Sequence, residues 1–232
     1  MADRRGRLSS GVWIKHVLDV AVALVAIAVT APLWLVVALA IKLTSRGPVL
    51  FRHNRVGQNG ELFTMLKFRS MRPGVDSTAL ARSGDPRITP IGKLLRKVAL
   101  DEWPQLVNVV LGDMSIVGPR PALPEMVPFY EDYQKSRLDV RPGLTGWAQV
   151  NGRNSLPYHK RLDLDVWYVK HRSLWLDFKI TLKTVPVMFS STGLYQEETR
   201  PWERRPKSSA GQGPETRRHD QHPASPESGG QS

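Results

Sequence analysis

Residues 20–41 read VAVALVAIAVTAPLWLVVALAI, a run with no charged side chain. As a helix it is about long enough to span a bilayer core, so the chain is read as membrane-associated. A cleavable signal peptide fits poorly, because the run exceeds a typical signal core and no small-residue cleavage site follows it. Pro32 lies mid-run, where it removes a backbone donor and crowds the preceding turn. Arg4, Arg5, Arg7 and Lys15 precede the run, and Lys42, Arg46, Arg52 and Arg55 follow it. The positive-inside rule therefore wants both ends in the cytoplasm, which a straight span cannot provide. A re-entrant helix-break-helix turning at Thr30-Ala31-Pro32 satisfies both ends and is the preferred reading. A proline-kinked single span stays open.

Working outward, a chain of 232 residues with 41% hydrophobic residues supports one domain with a real core. There is no cysteine, which excludes disulfides, thiolate metal sites and cysteine nucleophiles. The formal charge of +12 requires an anionic partner without choosing among lipid, nucleic acid and phosphorylated small molecules. Six basic against four acidic residues give positions 200–232 a net +2, so the other +10 belongs to the body. The chain divides into an N-terminal segment and membrane anchor (1–45), a catalytic domain (46–195) and a tail (196–232) whose composition predicts disorder.

After the anchor, residues 45–73 alternate turns with short apolar strands, and Asn59-Gly60 marks a hairpin. Residues 73–89 read as a polar, mobile loop. Ile91, Leu94, Leu95 and Val98 follow helical spacing with Lys93, Arg96 and Lys97 between them, predicting an amphipathic basic helix. Asp101 to Leu111 reads as a second helix stopped by Gly112. Residues 118–125 form a proline-stiffened loop, 126–139 a helix, RPGLTG (141–146) a turn, and 158–172 and 174–190 two more helices. The fold class is α+β and mainly helical, with the re-entrant anchor, amphipathic interfacial helices and a small hairpin sheet.

Asp101-Glu102 is the candidate reactive pair, since adjacent carboxylates in different environments can divide nucleophilic or metal-binding work from proton handling. An acidic residue at a helix start also caps orphan backbone donors, and spacing alone favours that plainer role. The cations Lys67, Arg69, Arg96, Arg120 and Arg141 suit phosphate recognition, although a protein on anionic lipid carries surface cations anyway. Prolines on both sides stiffen Arg120. No Walker loop or dinucleotide fingerprint is present, and His53 and His159 lack partners at metal-ligand spacing.

Residues 47–71 (GPVLFRHNRVGQNGELFTMLKFRSM), 85–121 (DPRITPIGKLLRKVALDEWPQLVNVVLGDMSIVGPRP) and 141–154 (RPGLTGWAQVNGRN) together closely resemble the bacterial sugar transferase family of monotopic phosphoglycosyl transferases. The resemblance runs from about Lys15 to Phe189. It implies transfer of a phosphosugar from a UDP-sugar donor to a polyprenyl phosphate acceptor, with UMP released and Mg²⁺ as cofactor. Mapped onto this chain, Asp101 is nucleophile and magnesium ligand, Glu102 a second carboxylate, and Lys67, Arg96 and Arg120 phosphate holders, with Arg141 on the nucleotide side. Breaking a diphosphate calls for charge neutralisation and in-line positioning, which this equipment suits. The implied setting is the bacterial cytoplasmic membrane, with the catalytic domain on its cytoplasmic face, a phospholipid membrane and no nucleic acid as partners, and dimerisation left open. Ala99 replaces the family's usual small polar residue, and Trp103 and Val107 depart from its common LPQLWNV. The alternative is a membrane-tethered basic binding protein for anionic lipid or nucleic acid, in which the dyad is only a cap.

Overall fold

The computed structural model describes residues 10–72 and 84–189. The tail at 196–232 and most of the 73–89 loop lie outside these. Where two helices separated by a break are expected, a single helical element, α1, runs from Ser10 to Thr44 with Pro32 inside it. Two local features perturb it there. Pro32 has no N–H for the Ala28 carbonyl, and the Thr30 hydroxyl donates back to the Ala26 carbonyl at 2.6 Å, a bond that bends helices. By length and composition the helix is apolar enough to cross a membrane. Ala23, Val37 and Ile41 are buried on one side, whereas Val29 and Leu35 are each more than 70% exposed.

Strand β1 (Leu50–Val56) pairs antiparallel with β2 (Leu62–Phe68), with Phe51 opposite Lys67 and Arg55 opposite Phe63. Asn59 and Gly60 take positive φ in the connection, as an Asn-Gly hairpin turn requires. α2 (Pro90–Lys97) starts on Thr89, whose hydroxyl accepts from the Gly92 N–H at 3.0 Å, with proline in its first turn. The six residues before it are not free loop. Met71 bridges Ile88, the Arg72 N–H donates to the Arg87 carbonyl, and Asp85 is buried.

The helix expected over 101–111 is shorter. Residues Leu100–Glu102 form a 3-10 turn, and α3 spans Gln105–Leu111, because Pro104 has no N–H to extend the helix backward. α3 ends on Gly112 in the left-handed region, as expected. Its Asn108, 1% exposed, docks on the β2 edge: Nδ2 donates to the Thr64 carbonyl at 2.8 Å and Oδ1 accepts from the Leu66 N–H at 3.0 Å. One side chain thus replaces a neighbouring strand and fixes β2 where Lys67 emerges.

Two further elements depart from the sequence reading. Residues 126–139 are not one helix, since Pro128 interrupts them. A 3-10 segment (Pro124–Phe129), the short α4 (Asp132–Lys135) and another 3-10 turn (Ser136–Asp139) share the stretch. RPGLTG is not only a turn: its Gly143–Thr145 forms β4, parallel to β3 (Ser115–Val117). The two backbones meet so closely that a Cβ on Gly143 would lie 2.0 Å from the Gly118 nitrogen, and one on Gly146 2.1 Å from the Gly118 carbonyl oxygen. α5 (Trp147–Val150), α6 (Tyr158–His171) and α7 (Leu174–Phe189) complete the chain.

Two of the core clusters pack along α1. Ala23, Met65, Leu106, Val109 and Met114 join α1 to β2 and α3, while Val37, Ile41, Phe68 and Leu95 join it to β2 and α2. Val117, Tyr168 and Ile180 tie β3 to α6 and α7. α7 leaves Trp175, Phe178, Leu182 and Val185 exposed in an apolar stripe.

Candidate active site

Asp101 and Glu102 sit in the 3-10 turn between α2 and α3, entered through Ala99 in the left-handed region (φ 54°). Their environments differ sharply. The Glu102 carboxylate accepts from Lys67 Nζ at 2.7 Å and from Arg120 Nη2 at 2.5 Å. Burial works against its charge, but the Arg120 and Lys67 cations more than offset this and hold its carboxyl far below the usual range. Asp101 is 7% exposed, and among the described residues its carboxylate takes part in no hydrogen bond or ion pair. Burial pushes its carboxyl up, and the charges of Lys67, Arg96 and Arg120 only partly counter the shift.

Each cation reaches the turn from a separate element. Lys67 comes from the end of β2, where burial lowers its pKa and Glu102 raises it. Arg96 comes from the last turn of α2, with Nε donating to the Ser70 hydroxyl at 2.8 Å. Arg120 comes from the proline-flanked loop after β3. Its main-chain carbonyl accepts from Arg137 Nη2 at 2.7 Å, and Arg137 is itself buried in an ion pair with Asp165 (2.6 Å) and bonded to the Tyr130 hydroxyl.

Comparison with known proteins identifies the family. The family model described as "Bacterial sugar transferase" matches residues 10–191. The chain belongs to the bacterial sugar transferase family. Relatives of this sugar transferase include "Uncharacterized sugar transferase EpsL" of Bacillus subtilis, 41% identical over 79% of this chain and 91% of that protein. The "UDP-glucose:undecaprenyl-phosphate glucose-1-phosphate transferase" of Caulobacter vibrioides is 43% identical over 78% of this chain and 72% of its own. The "Undecaprenyl-phosphate galactose phosphotransferase" of Salmonella typhimurium is 38% identical over 79% of this chain and 42% of its own. With such relatives the sugar transferase is an enzyme, a phosphoglycosyl transferase.

Of the residues singled out from the sequence, Lys67, Arg96, Arg120, Asp101 and Glu102 converge in the sugar transferase, and two do not. Arg69 turns away to the end of α1, where Nη2 donates to both the carbonyl and the hydroxyl of Ser45 at 2.8 Å. Arg141 lies near enough to His16 of α1 for its charge to act there. Two cations missed in the sequence do approach. Arg55 feels Arg120 and Glu102 most strongly after its own burial, which lowers its pKa to about 10. Arg153, half-buried with φ 52°, also feels Glu102 and Arg120. For Arg55 a signal existed: with the Asn-Gly turn fixing register, residues 51, 53 and 55 lie opposite 67, 65 and 63 on one face of the hairpin.

Magnesium can be tested against these residues. Among the described residues no group of three or more His, Asp or Glu is set to hold a metal ion. Mg²⁺ is commonly bound by one or two carboxylates together with substrate phosphates, and the unpaired Asp101 carboxylate meets that requirement. Glu102 is already committed to two cations.

Proposed function

We propose that the enzyme transfers a sugar 1-phosphate from a UDP-sugar to polyprenyl (undecaprenyl) phosphate, giving polyprenyl diphosphosugar and UMP. The unequal pairing of the dyad carries this reading. Glu102 is held by Lys67 and Arg120, whereas Asp101 is buried beside the same cations with its carboxylate uncommitted. In the first step an Asp101 oxygen attacks the donor's β-phosphorus. The bond to the bridging oxygen breaks, and UMP leaves with that oxygen and its electron pair. In the second, a phosphate oxygen of the lipid attacks the same phosphorus, and the acyl phosphate bond breaks to restore the carboxylate. A carboxylate nucleophile thereby divides one displacement into two.

Glu102 orients Lys67 and Arg120, and Arg96, held by Ser70, adds its positive charge at Asp101. Arg55 and Arg153 add positive charge for the nucleotide's phosphates. Mg²⁺ held by Asp101 and donor phosphates would supply further neutralisation of the diphosphate. The relatives' names support a UDP-sugar donor and the undecaprenyl acceptor, and they differ in the sugar. UMP release from UDP-glucose, UDP-galactose and UDP-N-acetylgalactosamine, with and without undecaprenyl phosphate and Mg²⁺, tests the reaction. Absence of release from every donor by folded protein in nanodiscs counts against it.

The anchor is proposed to enter and leave the bacterial inner membrane on its cytoplasmic face. Both arms of α1 touch the catalytic body. Lys15 pairs with Asp177 of α7 at 2.7 Å, and Asp19 accepts from the Ser115 hydroxyl of β3, while Val37 and Ile41 pack on β2 and α2. A membrane-crossing span would carry one of these arms away from the body. The bend-promoting Thr30 and Pro32 and the cations on both flanks support the re-entrant course. Because the chain has no cysteine, single cysteines placed at Gly11 and Arg46 can be labelled from one side. Accessibility from opposite sides sinks the proposal.

A further inference from the structure

Three side chains at and just beyond the end of β2 serve three different partners. Lys67 bonds Glu102 of the dyad, Ser70 receives Arg96 of α2, and Arg69 between them bonds Ser45, the first residue after the membrane helix. Arg69 is 6% exposed, and among the described residues it has no carboxylate partner and its Nε and Nη1 donors are buried without acceptors. A buried guanidinium with unsatisfied donors is costly, and the contact it makes is specific: two hydrogen bonds of 2.8 Å to Ser45, at the C-terminus of a 35-residue helix, where positive charge is favoured. Ser45 in turn caps that terminus, its N–H donating to the Ile41 carbonyl at 3.1 Å. The far side of the junction is equally tight. A Cβ on Gly92 of α2 would lie 2.0 Å from the Ser70 carbonyl oxygen, so α2 and the residues after β2 move as one.

Resting on the reaction proposed above, we infer that Arg69 is a positioning residue that sets the depth of the dyad relative to the membrane helix, and so governs the lipid-acceptor step. The donor is water-soluble and can reach the dyad at any height above the headgroups. The acceptor phosphate is tied to a chain buried in the bilayer, so only its attack depends on the register between α1 and the Asp101 turn. A displacement of about 1 Å can cost a hundredfold in rate.

The test uses the full chain in nanodiscs, the UDP-sugar active in the donor panel, and two acceptors: long-chain undecaprenyl phosphate and a short-chain, water-dispersible polyprenyl phosphate. Arg69→Lys keeps charge but not the two-acceptor geometry, and Ser45→Ala is the milder companion in case Arg69→Lys fails to fold. With the melting temperature retained, the donor-only burst of UMP stays within about twofold of the parent, and kcat/KM for the long-chain acceptor falls at least about tenfold. The short-chain acceptor recovers most of that loss. Equal loss with both acceptors, loss of the burst in folded protein, or undiminished long-chain turnover in both variants overturns the inference. If the parent gives no donor-only burst, the covalent route falls instead, and the ratio of long- to short-chain turnover still decides the role of Arg69.

Discussion

Asp101 and Asp165 are both buried carboxylates, 7% and 3% exposed, and burial pushes the pKa of each upward. Asp165 takes Nε and Nη2 of Arg137 on one oxygen, at 3.1 and 2.6 Å, inside a network that also fixes Tyr130 and the Arg120 backbone. Among the described residues Asp101 takes no partner, although the charges of Lys67, Arg96 and Arg120 act on it. On the proposed reaction, the contrast separates a charge buried to hold the fold from a charge buried to react: the first is spent on its partner, and the second is kept available at a cost in stability.

The sharpest way to break the comparison is Asp101→Asn. Turnover falls by roughly 10⁴-fold or more, and donor alone leaves no phosphosugar mass on the protein, while the melting temperature is no lower than the parent's. Normal turnover in the variant ends the assignment. Next in size, Arg137→Met strands Asp165 and costs about 3–5 kcal/mol, read in thermal or denaturant unfolding. A loss under about 1 kcal/mol would show that this pair does not hold the fold. Glu102→Gln lies between the two classes, lowering kcat by about a hundredfold through loss of the clamp on Lys67 and Arg120. It also moves a pH limit. Burial lowers the Lys67 pKa and the Glu102 charge raises it, so removing that charge lets Lys67 deprotonate earlier on the alkaline side. The alkaline limb of kcat/KM therefore shifts to lower pH, and an unmoved limb would show that Lys67 protonation is irrelevant to rate. The smallest effect is expected at the entry to the dyad. Ala99 sits at φ 54°, so Ala99→Gly relieves about 1 kcal/mol of backbone strain, and a lowered melting temperature would contradict that.

Much of the frame was legible in the sequence because its signals are local. Hydropathy marked α1, Asn59-Gly60 placed the hairpin, helical spacing gave α2, and α6 and α7 fall on the two later segments read as helices. The parallel pair β3–β4 was not legible, since three-residue strands brought together across an intervening segment leave no periodicity to read. At the site, residue types pointed to Lys67, Arg96 and Arg120, but the division of labour within the dyad depends on which carboxylate distant cations reach. Arg69 misled for a definable reason. Alternation along a strand puts residues 67 and 69 on one face, but β2 ends at Phe68, and beyond it the side chain follows the loop to Ser45.

The glycine seam formed by Gly118, Gly143 and Gly146 limits how this enzyme can be re-engineered. Even a methyl group there would collide with main chain, so neither polarity nor size can be traded at those positions. The seam joins the loop that delivers Arg120 to the segment leading on to Arg153, leaving the spacing between two cations with almost no adjustable thickness. Substitution has more freedom in the side chains displayed around that seam than in the seam itself.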